Sequence, residues 1–286
     1  MYKKSAVFSF IFICCVMISG CQRRDFTEVT TNTNEYSSSN NNVETKNQAS
    51  IDSDTDNLDI EKVESVIENN INSVFEGNIG NQNICMVVYR DGEQLSASYI
   101  TQNDDDGEIK LQGTIQLDNA SFVLQNENNN IIFRGTIKPD TKEGDLLDGT
   151  FTNVEKSHFS LAHTHTIGNT YETRYSIPGT NTEDIEEFAK KIKEYIIENN
   201  KQGFAELIDY PINIKINEKK IAINSSEEFE KKYDDIINSD FKLALSKAYT
   251  KYLDSNPTGI MLANGKIWIN YINNKEGLRI FAINNF

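Results

Sequence analysis

The chain is 286 residues long and carries 28 Lys and Arg against 43 Asp and Glu, a formal net charge of −15. That length provides one large or two ordinary domains, and the acidic balance excludes a general nucleic-acid binder and a basic patch docked on anionic lipid. Hydrophobic residues, at 38%, permit globular cores but leave part of the chain too polar to pack.

Lys3 and Lys4 precede an uncharged apolar run from Ala6 to Ser19, long enough for export machinery and short for a membrane span. The run stops at Ile18-Ser19-Gly20-Cys21. This resembles the lipobox of bacterial lipoproteins, in which small residues precede the cut and the Cys thiol receives the diacylglycerol. The resemblance implies a signal peptide over 1–20, a covalent lipid on Cys21 as the membrane partner, and residence on the extracytoplasmic face of the cell membrane. Cys14 and Cys15 leave with such a peptide, so Cys85 is the remaining thiol and no intramolecular disulfide can form. Cys85 lies within the apolar run Ile84–Tyr89 and reads as a small core residue.

Residues 21–57 are rich in Asn, Ser and Thr and cannot offset their ordering entropy by burial, which predicts a disordered tether. Asp52, Asp54 and Asp56 imitate the start of a calcium loop. Asn57 stands where that loop needs Gly and Val63 where it needs Glu, so a solvated acidic stretch is the better reading. Ile60, Val63, Ile67, Ile71 and Val74 share helical spacing and predict one amphipathic helix over Leu58–Phe75.

Residues 58–178 are expected to form a β-rich domain behind that helix, an antiparallel meander closed as a small barrel or a sandwich. A pattern of apolar, any, Gly, any, apolar recurs as Phe75–Ile79, Leu111–Ile115, Phe133–Ile137 and Leu147–Phe151. In a strand, the two apolar residues and the Gly share one face, leaving a gap where the strand can bend or a bulky neighbour can enter. Turn signals fall at Asp91-Gly92, Asp104–Gly107, Asn128–Asn130 and Glu143-Gly144.

After Pro178-Gly179 the pattern becomes helical, and residues 179–286 read as an α+β domain. A capping box at Thr180–Glu183 opens a helix that lasts to Asn199, followed by a short helix ended by Pro211. Ile212–Ile216 and Ile221–Ile223 form a hairpin, Ser225 and Glu228 open another helix, and the chain ends in strands around Ile260, Ile267 and Ile280. This order of elements resembles the nuclear transport factor 2-like fold. Asp209-Tyr210-Pro211, Gly259–Leu262, Gly265–Ile269 and Ile283–Asn285 look like the C-terminal domains of lipoproteins from clostridia and their relatives.

Two constellations are candidates for chemistry. His163 and His165, two apart in a strand, would share a face and could present two imidazoles to one metal. Tyr210, Trp268 and Tyr271 would line the concave side of the C-terminal sheet, where the resemblance implies a cone-shaped cavity. The signatures Gly-x-Ser-x-Gly, His-Glu-x-x-His and Cys-x-x-Cys are missing from the sequence, so no catalytic residue and no cofactor is assigned. The resulting expectation is a lipid-anchored, non-enzymatic binding or accessory module for a protein, glycan or small-molecule ligand. The alternative is a small-molecule enzyme built around the C-terminal cavity, with Asp209 and Tyr210 beside it.

Overall fold

The computed structural model describes residues 63, 66–102, 104–170, 173–216, 219–272 and 277–285. The expected signal peptide, the expected lipidation site Cys21 and the expected tether lie outside the described residues. The described residues form one compact unit.

Eight strands close into an antiparallel barrel in simple up-and-down order. They are β1 (Asn72–Ile79), β2 (Gln82–Asp91), β3 (Gln94–Thr101), β4 (Asp104–Gln116), β5 (Ser121–Gln125), β6 (Ile132–Thr141), β7 (Gly144–Thr152) and β8 (Lys156–Ile167). β1 pairs with both β2 and β8, so no edge is left open. Two expectations fail locally. Val74 and Phe75 belong to β1 and not to a helix, because one faces out and the other in, as alternation in a strand requires. The acidic run Asp104–Gly107 opens β4 instead of making a turn between strands.

The four repeated glycines explain how so few strands close tightly. Gly77, Gly113, Gly135 and Gly149 all share the inward face with apolar neighbours such as Phe75, Leu111, Phe133 and Leu147. A Cβ on Gly135 would stand 2.5 Å from the Asp148 carbonyl oxygen and 2.9 Å from the Phe159 ring. The missing side chain therefore lets β6 and β7 coil against each other, while Phe122 and Phe159 fill the lumen behind. Phe133 makes edge contacts with Phe151 and Phe159 at ring distances of 4.9 and 5.2 Å, so the interior is a packed core. Val63, Val66 and Ile67 join that core. The inward, buried Arg90 donates Nε–H to the Ile67 carbonyl at 2.8 Å. Outward positions carry Arg134, Lys138, Asp148 and His158, the polarity of a water-facing barrel and the reverse of a lipid-facing one.

The remaining elements are α1 (Thr182–Ile197), α2 (Lys201–Glu206), the hairpin β9 (Ile212–Ile216) and β10 (Lys219–Ile223), α3 (Ser226–Ile236), α4 (Ser239–Lys247), β11 (Ser255–Asn256), β12 (Gly259–Leu262), β13 (Ile267–Ile272) and β14 (Gly277–Ile283). Polar side chains start each helix: Asn181, Asn200, Ser225 and Asn238 each accept a hydrogen bond from a backbone N–H in the first turn. The apolar faces of α1, α3 and α4 meet Ile260, Leu262, Ile267, Ile269 and Ile280 in a second core.

The expected fold class, a β-domain followed by a separate α+β domain of nuclear transport factor 2-like form, is overturned. The later strands do not make one cone-shaped sheet but divide into a two-stranded and a four-stranded sheet. Nor does the barrel stand apart. Its outer wall carries an apolar patch of Val74, Cys85, Val87, Ile100 and Ile167, and the buried Tyr252 from the second half covers it. Leaving that patch in water would be unfavourable, so the halves fold against each other.

Candidate functional site

The joint between the halves is polar at its centre. The Tyr252 hydroxyl donates to Glu108 Oε1 at 3.0 Å, and the Ser98 hydroxyl donates to the same oxygen at 2.7 Å. Lys251 Nζ binds the other carboxylate oxygen at 3.0 Å. Burial alone would raise the Glu108 carboxyl, but the bonds from Ser98 and Lys251 and the charges of Lys251 and Arg174 outweigh it and hold it below its usual range. On the far side of the Tyr252 ring, the Arg174 guanidinium lies 5.0 Å from the ring centroid and reaches Glu186 Oε1 with Nε at 3.2 Å. Tyr175 donates its hydroxyl to the same Glu186 oxygen at 3.0 Å and accepts the Leu253 N–H at 2.9 Å. Burial, and then the Glu108 charge, push the Tyr252 phenol far above its ordinary range, so it remains a hydrogen-bond donor.

Beside this joint opens a cleft of about 580 Å³. One wall is the outside of the barrel, with Glu76 on β1 and Thr164 and His165 on β8. The other comes from the end of α4, the segment after it and the β12–β13 turn, which bring Lys247, Tyr249, Asp254 and Met261. The volume falls within the ~300–1,000 Å³ usual for small-molecule sites. Tyr252 adopts φ 54°, the left-handed region, and the chain reverses there so that Tyr249 and Asp254 both face the cleft.

His165 belongs to this wall and His163 does not. The β1–β8 register pairs Phe75 with His163 and Val74 with His165, so Thr164 is an extra residue in β8. Such a bulge reverses the alternation beyond it. His163 therefore follows the inward face with its ring 5.2 Å from Phe75 and tilted by 60° to it, while His165 follows outward Val74 and its Nε2 meets the Tyr252 carbonyl at 2.9 Å. Burial lowers the pKa of both imidazoles. The shared face expected of a two-histidine metal site is not formed, and among the described residues no group of three or more His, Cys, Asp or Glu side chains is placed to hold a metal.

The three aromatic candidates are likewise not brought together. Tyr210 packs on the helical core and donates its hydroxyl to the Ala205 carbonyl at 3.0 Å. Trp268 and Tyr271 stand on opposite faces of β13, Tyr271 against Gly179 and Trp268 beside Phe281 at 6.3 Å. The helix-facing side of the sheet, where a cavity was expected, is filled by Ile260, Ile267, Ile269 and Ile280. Comparison of the chain with family models, with curated proteins and with solved structures finds no match.

Glu76, Lys247, Tyr249 and Asp254 were not singled out from sequence. They come from two distant segments with no shared motif, and only the spacing of Tyr249 and Tyr252 hints at a built turn.

Proposed function

We propose that the protein is a lipid-anchored binding or accessory module on the extracytoplasmic face of the membrane, taking a small ligand in the cleft between the barrel wall and the end of α4. The observation that carries this reading is the cleft itself, a recess of about 580 Å³ with aromatic, thioether and charged groups side by side. The lipobox residues Ile18–Cys21 supply the anchor, the Asn-, Ser- and Thr-rich segment after them supplies reach, and the net charge of −15 leaves attachment to the lipid.

Two experiments test it. Labelling cells with a tagged fatty acid should mark the wild type and spare Cys21→Ala, and an unlabelled wild type would remove the anchor. For the cleft, a thermal-shift screen of small polar and amphipathic compounds on the detergent-solubilised chain should yield ligands that raise Tm of the wild type but not of Ala244→Trp, whose added indole fills the recess. A screen in which every active compound shifts both forms equally would overturn the assignment of the cleft.

A further inference from the structure

Two opposite charges face the cleft without meeting. Glu76 projects from the outward side of β1, and among the described residues its carboxylate has neither a hydrogen-bond nor an ion-pair partner. It is exposed at the surface, although the protein packed around it raises its carboxyl above the ordinary range. Lys247, in the last turn of α4, brings an ammonium that also has no partner among the described residues. The other two lysines of the recess are engaged, Lys251 with Glu108 at 3.0 Å and Lys266 over the Phe241 ring at 5.6 Å.

An unpaired carboxylate on the wall of a recess is free to take a cation from a ligand. The opposing ammonium within the same recess calls for an anion. In the same recess, Tyr249 and Met261 offer aromatic and thioether surface. We propose that the cleft binds a zwitterionic amino compound, a short peptide with free ends, with its ammonium at Glu76 and its carboxylate at Lys247. Asp254, whose charge acts on His165 from the same recess, adds to the cation-attracting side. Electrostatic complementarity of this kind fixes the direction of the peptide and rejects ligands carrying one charge alone.

This inference rests on the cleft-binding reading above, and its test separates the two. The detergent-solubilised full chain is titrated by calorimetry with the tripeptide Ala-Leu-Ala, with its N-acetylated form and with its C-terminal amide. Trp268, the chain's single tryptophan, is cross-strand partner to the cleft residue Met261 and provides a fluorescence readout. The free peptide should bind saturably, and each blocked form should bind roughly tenfold or more weakly, the usual effect of losing one charge-assisted contact. Glu76→Gln should abolish the difference between free and acetylated peptide, and Lys247→Met the difference between acid and amide. Equal binding of all three peptides, or no binding of any, would overturn the proposal. If no peptide binds while another compound still shifts the wild type and not Ala244→Trp, the peptide assignment falls and the binding-module reading stands. If no compound discriminates the blocked cleft either, both fall.

Discussion

The Tyr252 hydroxyl lies 3.0 Å from Glu108 Oε1, a hydrogen bond across 144 residues that ties the end of the helical half to the wall of the barrel. The contact is buried on the tyrosine side, and Ser98, Lys251 and Arg174 gather around it. A buried polar group without partners is costly, so these residues specify one arrangement of the halves and disfavour others.

Tyr252→Phe keeps the ring over Arg174 and removes one donor from Glu108. It should lower unfolding free energy by about 1–3 kcal/mol, measured by urea denaturation. A change within error would mean that Ser98 and Lys251 suffice for Glu108 by themselves.

The barrel glycines predict a different failure. Gly135→Ala places a Cβ against the Asp148 carbonyl and the Phe159 ring, and overpacking of this kind costs about 1–3 kcal/mol. Gly92→Ala is the comparison, since nothing lies within 4 Å of its Cβ position and only its φ of +61° opposes the change. Equal and small losses in both variants would contradict the account of how β6 and β7 coil together.

The histidines set a pH dependence whose sign follows from their environment. Burial lowers both imidazole pKa values below the ordinary 6.5, so between that value and the folded one the unfolded chain binds more protons. Their contribution is therefore fully present above pH ~6.5 and is lost as pH falls through the folded pKa values. Tm should decline on acidification from neutral pH, and His163→Gln/His165→Gln should flatten that decline. Glu108 adds to the loss at lower pH, because its depressed carboxyl stabilises the fold above its unfolded value of 4.5 and ceases to do so as it protonates.

Glu76 has the opposite sign. Its folded pKa is raised by burial, so the ionised side chain opposes folding, and the cost appears as pH rises through the folded value. Glu76→Gln should raise Tm at neutral pH while leaving it unchanged under acid conditions. Lower stability in Glu76→Gln would show that the carboxylate has a structural partner and is not held for a ligand.

The residues that announced themselves in sequence did so through local rules. The four glycines each sat between apolar neighbours at strand spacing, and Ser225 stood where a helix start needs a side-chain acceptor, whereas the cap expected at Thr180 falls one residue later, on Asn181. What escaped were relationships set by a partner elsewhere in the chain. His163 and His165 separate because Thr164 bulges against β1, a choice made by pairing with Val74 and Phe75 and invisible in the strand's own alternation. The helix expected over Leu58–Phe75 stops short of its expected end, with Val63 and Val66 helical, because Asn72 onward is claimed by β2 and β8. The nuclear transport factor 2-like expectation fails because it rested on the order of elements, and order does not say that β9 and β10 form their own sheet or that the barrel supplies a wall. The cleft was illegible for the same reason, since Glu76 and Lys247 come to line one recess only once the halves have joined.

Whether the halves are one body decides whether the cleft exists. Urea unfolding of the Cys21→Ala chain can be followed at once by Trp268 fluorescence, which reports the helical half, and by thiol labelling of Cys85, buried in the barrel's outer wall under Tyr252. The account predicts a single transition with coincident midpoints by both probes. Exposure of Cys85 in a separate transition, with Trp268 still in its native environment, would contradict it.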